Sequence, residues 1–121
     1  LVTVGNVGDS RAYLVSDDGT AALLSTDDSM AQARIMLGMS RDDAEQSAQA
    51  HAITKWLGRQ ATDTVPSVTS ASVRRPGWLL LCSDGLWNYA SDPADMGRLL
   101  LDRATAAPEP GDLAESLVDW A

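Results

Sequence analysis

Apolar and polar positions change rhythm several times along this chain. Leu1 to Val4 is a short apolar run and reads as a strand. Gly5-Asn6-Val7-Gly8-Asp9-Ser10 is small and polar enough to bend. Arg11 to Ser16 alternates, with Ala12 and Leu14 against Tyr13 and Val15, and reads as a second strand. Asp17-Asp18-Gly19 carries a hairpin signature, so Thr20 to Leu24 pairs back as a third. These segments predict an antiparallel meander.

At Thr26 the texture turns helical. Asp27 and Asp28 can cap a helix over Ser29 to Leu37, which Gly38 ends. Ser40 is the N-cap of another, with Asp43 where a capping-box acid would stand, running to about Ala50. Its apolar face is weak: Ala44, Ala48 and Ala52 against Glu45, Gln46 and Gln49. Residues 27–50 therefore read as an excursion on the surface of a β-rich domain. His51 to Gly58 carries Ile53, Trp56 and Leu57, and Thr62 to Pro66 is loop.

Pro66 to Val73 alternates loosely and predicts a strand; Pro76-Gly77 is a turn. Trp78 to Ser83 is a continuous apolar strand, which predicts burial on both faces, and Asp84-Gly85 terminates it. Asp92-Pro93 is a helix start, with an N-cap acid and Pro at the first helical position. That helix carries Met96, Leu99, Leu100 and Leu101 until Pro108 and Pro110 break it. Asp112 is expected to cap a last helix with Leu113, Leu117 and Trp120 on one face. Strands followed by helices packed on a sheet give an α+β fold or layered sandwich, not a βαβ array.

Composition narrows the chemistry. With 121 residues the chain is at most one domain, long enough to bury a core without staples. One cysteine excludes an internal disulfide and a Cys-based zinc site; one histidine excludes any site needing two. The net charge is −8, and acids exceed bases in both halves. No basic stripe stands out, which argues against nucleic-acid or anionic-membrane binding. An acidic protein that handles a phosphate ester has a sign problem that bound divalent cations would solve. The longest unbroken apolar run, Trp78 to Cys82, cannot span a bilayer. The chain opens on Leu1 with no basic-then-apolar leader, so it reads as lacking a signal peptide and as a piece of a longer protein.

Each candidate motif has a bland reading beside it. The Gly5 to Ser10 segment is not a phosphate loop, which needs four residues between its glycines and a lysine after the second. It reads as a tight inter-strand connection with glycines in unusual backbone conformations, where Asp9 pairs locally with Arg11 or bonds backbone amides. Leu79 to Trp87 delivers the Asp84 carboxylate to the end of a buried strand, where such groups hold hard cations; the plain alternative is an Asp-Gly turn. Cys82 reads as inert core. His51 reads as a surface or satisfied histidine, with a general acid or base role as the alternative. The four tryptophans read as core, and Arg74-Arg75 as a solvated turn.

Two of these stretches together point further. Val4 to Leu14 (VGNVGDSRAYL) closely resembles the "NxGDSRxY" segment of metal-dependent PP2C-type (PPM) protein phosphatases, and Leu79 to Asn88 resembles that family's "LLLCSDGLWD". Between them Leu24 to Ser29 is similar to "LTxDHS", and Ile53 to Gly58 to "ITRALG". Ala114 to Ala121 is similar to "AxxLVxxA". Order and spacing match over nearly the whole chain. The resemblance covers only the second half of the catalytic domain: the early "DGxGG" segment would precede Leu1 and the final "DN" would follow Ala121.

The resemblance implies a β-sandwich of two antiparallel sheets flanked by helices, present here in part. It implies a phosphatase acting on phosphoserine and phosphothreonine in proteins, with a binuclear Mg2+ or Mn2+ centre and in some members a third ion. Asp84 matches the metal-binding aspartate of "SDG", and Gly85 would let the chain turn tightly beside it. Asp9, Ser10 and Arg11 match a motif that is structural in the family. Residues 27–50 match the flap, which borders the site and influences substrate choice and metal occupancy. The implied mechanism is hydrolysis by a metal-activated water without a phosphoenzyme. Implied partners are phosphorylated proteins and a cognate serine/threonine kinase, in the cytoplasm. Asp28 stands where many relatives carry His, Lys55 replaces Arg, and Asn88 replaces a common Asp.

Two other readings fit the same residues. One is a catalytically inactive member that keeps the fold and binds partners; the other is a generic α+β interaction domain with chance motif matches. The fragment by itself is expected not to catalyse, because most of the family's metal ligands lie outside it. Eight arginines against one lysine suggest a GC-rich bacterial genome.

Overall fold

The computed structural model describes residues 1–61 and 63–121. Strand β1 (Val2–Asn6) leads through a turn to β2 (Arg11–Ser16) and β3 (Ala21–Leu23). Helices α1 (Met30–Met36) and α2 (Arg41–Gln46) follow, then strands β4 (Ser67–Ala71) and β5 (Gly77–Cys82). Helices α3 (Asp84–Trp87), α4 (Pro93–Ala106) and α5 (Pro110–Trp120) complete the chain. The loop expected over residues 62–66 begins at Thr62, which lies outside the described residues. No helix among the described residues is long and apolar enough to cross a membrane.

The strands form two antiparallel sheets. In one, β1 pairs only with β4, from Val2 opposite Ala71 to Asn6 opposite Ser67. In the other, β2 is central between β3 and β5, with Arg11 opposite Cys82 and Ser16 opposite Gly77. The hairpin of β2 and β3 is thus present, but the meander expected from β1 is not. The connection through Gly8 sends β1 to a different partner far along the chain, and no local pattern carries that information.

The main core lies between the three-stranded sheet and the C-terminal helices. Tyr13 and Val15 of β2 meet Met96 and Leu100 of α4 and Leu113 and Leu117 of α5, with Trp87 and Ala90 closing one end. The spacing of Met96 and Leu100, and of Leu113 and Leu117, is one helical turn and puts each pair on a single face. Burying side chains of this size contributes roughly 1.5–3 kcal/mol apiece. Strand β5 was expected to be buried on both faces. Trp78, Leu80 and Cys82 face the helices, while Leu79 and Leu81 lie on the other face of the sheet, where within these 121 residues they are 45% and 69% exposed.

Caps follow hydrogen-bonding geometry more than charge. Ser29, not Asp27 or Asp28, caps α1, its hydroxyl accepting from the Gln32 N–H. Both aspartates are engaged elsewhere. Ser40 caps α2 as expected, accepting from the Asp43 N–H, but α2 stops at Gln46 rather than near Ala50. Its apolar contacts are small, confined to Ala31, Ala44 and Ala50 with Ile35 alongside. Asp92 caps α4, accepting from the Ala94 N–H. For α5 the cap position is Glu109, with Pro110 first in the helix and Asp112 inside the first turn. Asp84-Gly85 is not a simple turn: Asp84 opens α3 directly after Ser83, and Gly85 lies within that helical turn.

Candidate functional site

The β2 and β5 register brings the two sequence motifs together. Because Arg11 is opposite Cys82, the Gly8-Asp9-Ser10 turn that precedes β2 lies beside the Ser83-Asp84-Gly85 segment that follows β5. Gly8 has a φ of 101°, a conformation that L side chains rarely adopt, and this lets the chain reverse there. The turn is locked from the other side by Asp28. The Gly8 N–H donates to Asp28 Oδ2 at 2.9 Å, and the Asp28 N–H donates to the Gly8 carbonyl, also at 2.9 Å.

The turn carrying Asp9 and the segment carrying Asp84 lie side by side at this edge. Burial raises the pKa of Asp9 above its ordinary value, and the charges of Asp84 and then Asp27 raise it further, against smaller opposing effects from a backbone hydrogen bond and Arg11. The sequence assigns Asp9 a structural part, pairing with Arg11 or bonding backbone amides. Arg11 binds Asp27: its Nε donates to Oδ1 at 3.0 Å and its Nη2 to Oδ2 at 2.7 Å. This bidentate pair commits the guanidinium to Asp27, and a backbone hydrogen bond acts on Asp9. Oxygen donors of this kind suit hard divalent cations. Among the described residues no group of three or more His, Cys, Asp or Glu is assembled as a metal cage.

Arg11 organises everything behind this edge. Its Nη1 donates to the Tyr13 hydroxyl at 2.9 Å and to Ser91 Oγ at 2.9 Å. Tyr13 in turn donates to the Ser91 carbonyl at 2.9 Å. Burial works against the guanidinium's charge, but the hydrogen bonds to Asp27 and Tyr13 outweigh it and raise the pKa, so it stays protonated. The guanidinium also lies over the Trp87 ring, and the Trp87 Nε1–H donates to the Asp9 carbonyl at 2.8 Å. One aromatic residue of α3 is therefore tied to the turn that carries Asp9.

The remaining candidates fall outside this constellation or at its margin. Cys82 is half-buried, and burial pushes its thiol up to about 11, which fits the inert reading. His51 is exposed, its ring centre 6.0 Å from that of Trp87. Of the four tryptophans only Trp87 is fully buried; Trp56 and Trp120 are 46% and 36% exposed, against the expectation of core. Arg75 pairs with Asp18 at the surface, as a solvated turn would. Ser91 and Glu45 belong to the polar network and drew no attention in the sequence, where neither sits in a recognisable spacing. The only signal was Ser91 just before the Asp92-Pro93 cap.

Comparison with known proteins gives this geometry a context. The serine/threonine phosphatase stp of Listeria innocua is 34% identical over 110 residues, covering 86% of this chain and 40% of that protein. The S. agalactiae serine/threonine phosphatase superposes with a TM-score of 0.77 at 26% identity, over 97% of this chain and 46% of that one. The PPM Ser-Thr phosphatase MsPP of Mycobacterium smegmatis gives 0.74 at 32% identity, over 97% and 47%. No family model matches the chain. The architecture, two antiparallel sheets with flanking helices, is that of bacterial serine/threonine phosphatases of the PPM class. The chain is a partial PP2C-type (PPM) domain, and it spans less than half the length of each of these relatives.

Proposed function

We propose that the chain contributes part of the active site of a metal-dependent phosphatase acting on phosphoserine and phosphothreonine in proteins. The observation that carries this reading is the β2–β5 register, which sets the Asp9 turn beside the Asp84 segment at one sheet edge, in a chain whose relatives are serine/threonine phosphatases. Neighbouring carboxylates repel, and a bound cation removes that cost. The donor set fits Mg2+ or Mn2+ in kind, with Asp84 as ligand and Asp9 as its neighbour. When bound, such ions offset phosphate charge and activate water as a nucleophile.

The chain's own residues would do the positioning. Strand β5 carries Asp84 to the edge, and the Trp87 bond to the Asp9 carbonyl fixes α3 against the turn. Arg11 is held by Asp27 and Trp87, and its charge only partly offsets the rise in the Asp9 pKa. Residues 27–50 fit the part of a flap bordering this edge, because Asp28 roots them on Gly8. The relative from M. smegmatis is described in complex with cacodylate, a tetrahedral oxyanion, which is consistent with a phosphate-binding edge in this one. With too few ligands for a binuclear centre among its described residues, the isolated 121-residue chain is expected to be inactive.

The test is Mn2+-dependent phosphate release from a phosphothreonine peptide by the intact protein, wild type against Asp84→Ala. Metal-dependent turnover that falls by two or more orders of magnitude in the variant is the expected result. A folded wild-type protein without turnover would move the reading to an inactive, partner-binding member.

A further inference from the structure

The excursion between β3 and β4 is attached to the rest of the molecule in an uneven way. Its roots are strongly held. Asp28 is bonded to Gly8 in both directions, the Thr54 N–H donates to the Asp28 carbonyl at 2.8 Å, and Ser29 bridges Ile53. Its far end, α2, has almost no apolar anchorage: Ala44 is buried, but only among Ala31, Ala50 and Ile35 of the same excursion. The contact that reaches out of it is polar. The Ser91 hydroxyl donates to Glu45 Oε1 at 2.6 Å, and the same oxygen lies 3.6 Å from Arg11 Nη2 and 3.3 Å from Arg41 Nη1.

We propose that Glu45 is a positioning residue, a latch that seats α2 against Ser91 and Arg11 and thereby fixes the excursion over the edge bearing Asp9 and Asp84. Four features converge on it. Glu45 is three-quarters buried, with its side chain 22% exposed, so its bonds are partly shielded from water. Ser91 and Arg11 belong to the body of the domain, not to the excursion. Arg11 stacks on Trp87, the last residue of the helix that Asp84 opens, so the latch closes on the element that carries the candidate ligand. His51, just beyond α2, lies against the same Trp87 ring from the excursion's side.

The chemistry explains why such a latch would be adjustable. Apolar docking of α2 would make the excursion a fixed part of the core. A charge-assisted hydrogen bond beside two arginines is strong but depends on one oxygen, and it can open without exposing apolar surface. The excursion then has a closed arrangement at the site and an open one hinged at Asp28 and Ile53. A substrate that spans both the phosphate site and the excursion gains from the closed arrangement, whereas a small phosphate ester does not.

This inference rests on the phosphatase reading for its catalytic consequence but not for its structural one, and the experiment separates the two. Amide hydrogen exchange is measured on the intact protein for wild type, Glu45→Gln and Glu45→Ala. The expected result is exchange across residues 40–50 that is about tenfold faster in Glu45→Ala, with a smaller change in Glu45→Gln, which keeps an acceptor for Ser91, and no change in β2 and β5. Unchanged exchange in α2, or acceleration spread evenly through the core, would overturn the latch. Kinetics supply the second readout. In Glu45→Ala the KM for a phosphothreonine peptide is expected to rise severalfold, with kcat on an aryl phosphate unchanged. Equal losses on both substrates would overturn the positioning role. A wild-type protein without turnover would sink the phosphatase reading, and exchange alone would then decide the latch.

Discussion

The guanidinium carbon of Arg11 lies 3.7 Å from the centre of the Trp87 ring. Trp87 is 3% exposed and Arg11 equally so. The contact joins the start of β2 to the end of α3 and couples the two motifs that surround Asp9 and Asp84. A desolvated cation over an indole face is worth about 2 kcal/mol, and here the cation is also fully hydrogen-bonded. The arrangement makes Arg11 an organiser of the site.

Removing the cation should therefore be costly. Arg11→Met leaves Asp27 buried without a partner and is expected to lower stability by about 3–5 kcal/mol. Arg11→Lys keeps the charge but loses the two-pronged bond to Asp27, and is expected to recover only part of it. Urea unfolding of the three proteins gives the comparison, and a variant within about 0.5 kcal/mol of wild type would count against this role.

Gly77 sits where β5 crosses close to β2. An added Cβ would lie 2.2 Å from the Val15 carbonyl oxygen and 2.7 Å from the Ser16 Cα, and backbone cannot yield as a side chain can. Gly77→Ala is expected to cost about 2 kcal/mol or more by forcing the strands apart. Gly111, in α5, meets nothing within 4 Å, and Gly111→Ala is expected to stabilise by about 0.5–1 kcal/mol. Thermal unfolding should move in opposite directions for the two.

Cys82 offers a pH test. Its thiol is raised by burial from 9.0 to about 11, partly offset by Arg11. The unfolded chain releases this proton first, so between pH 9.0 and about 11 the native state binds more protons and stability falls as pH rises. Cys82→Ala is expected to flatten that part of the stability profile. Alkylation of native wild type at pH 8 should be much slower than of the unfolded chain, and equal rates would contradict the burial.

The opposition of Asp9 and Asp84 predicts a trade between stability and metal binding. Without metal, Asp9→Asn removes a repelled, partly desolvated charge and is expected to raise stability. Added Mn2+ should stabilise wild type by mass action and the variant less. Unfolding scans with a chelator and with Mn2+ read both effects, and a variant less stable than wild type without metal would contradict the proposed repulsion.

Much of this was legible from the residues alone. The alternation at Arg11 to Ser16 gave β2 with its full bounds, and Asp92-Pro93 marked the start of α4, because both depend on local backbone preferences. The two long motifs pointed to the phosphatase class and offered Asp84 as a candidate ligand, since both rest on side chains in a fixed order along the chain. Other features were hidden. The five-residue apolar run Trp78 to Cys82 concealed which of its side chains face the helices, and the pairing of β1 with β4 joins segments more than sixty residues apart.

The sequence by itself determined the local elements, the acidic balance and the motif that holds Asp84, because propensity, capping and charge are properties of neighbours along the chain. Only the tertiary structure sets Arg11 on Asp27, brings the Asp9 turn beside the Asp84 segment, and lets Glu45 reach Ser91. Those choices depend on which of several nearby charges folding brings within 3 Å, and a hydrogen bond's strength is set by that distance and by the water excluded around it.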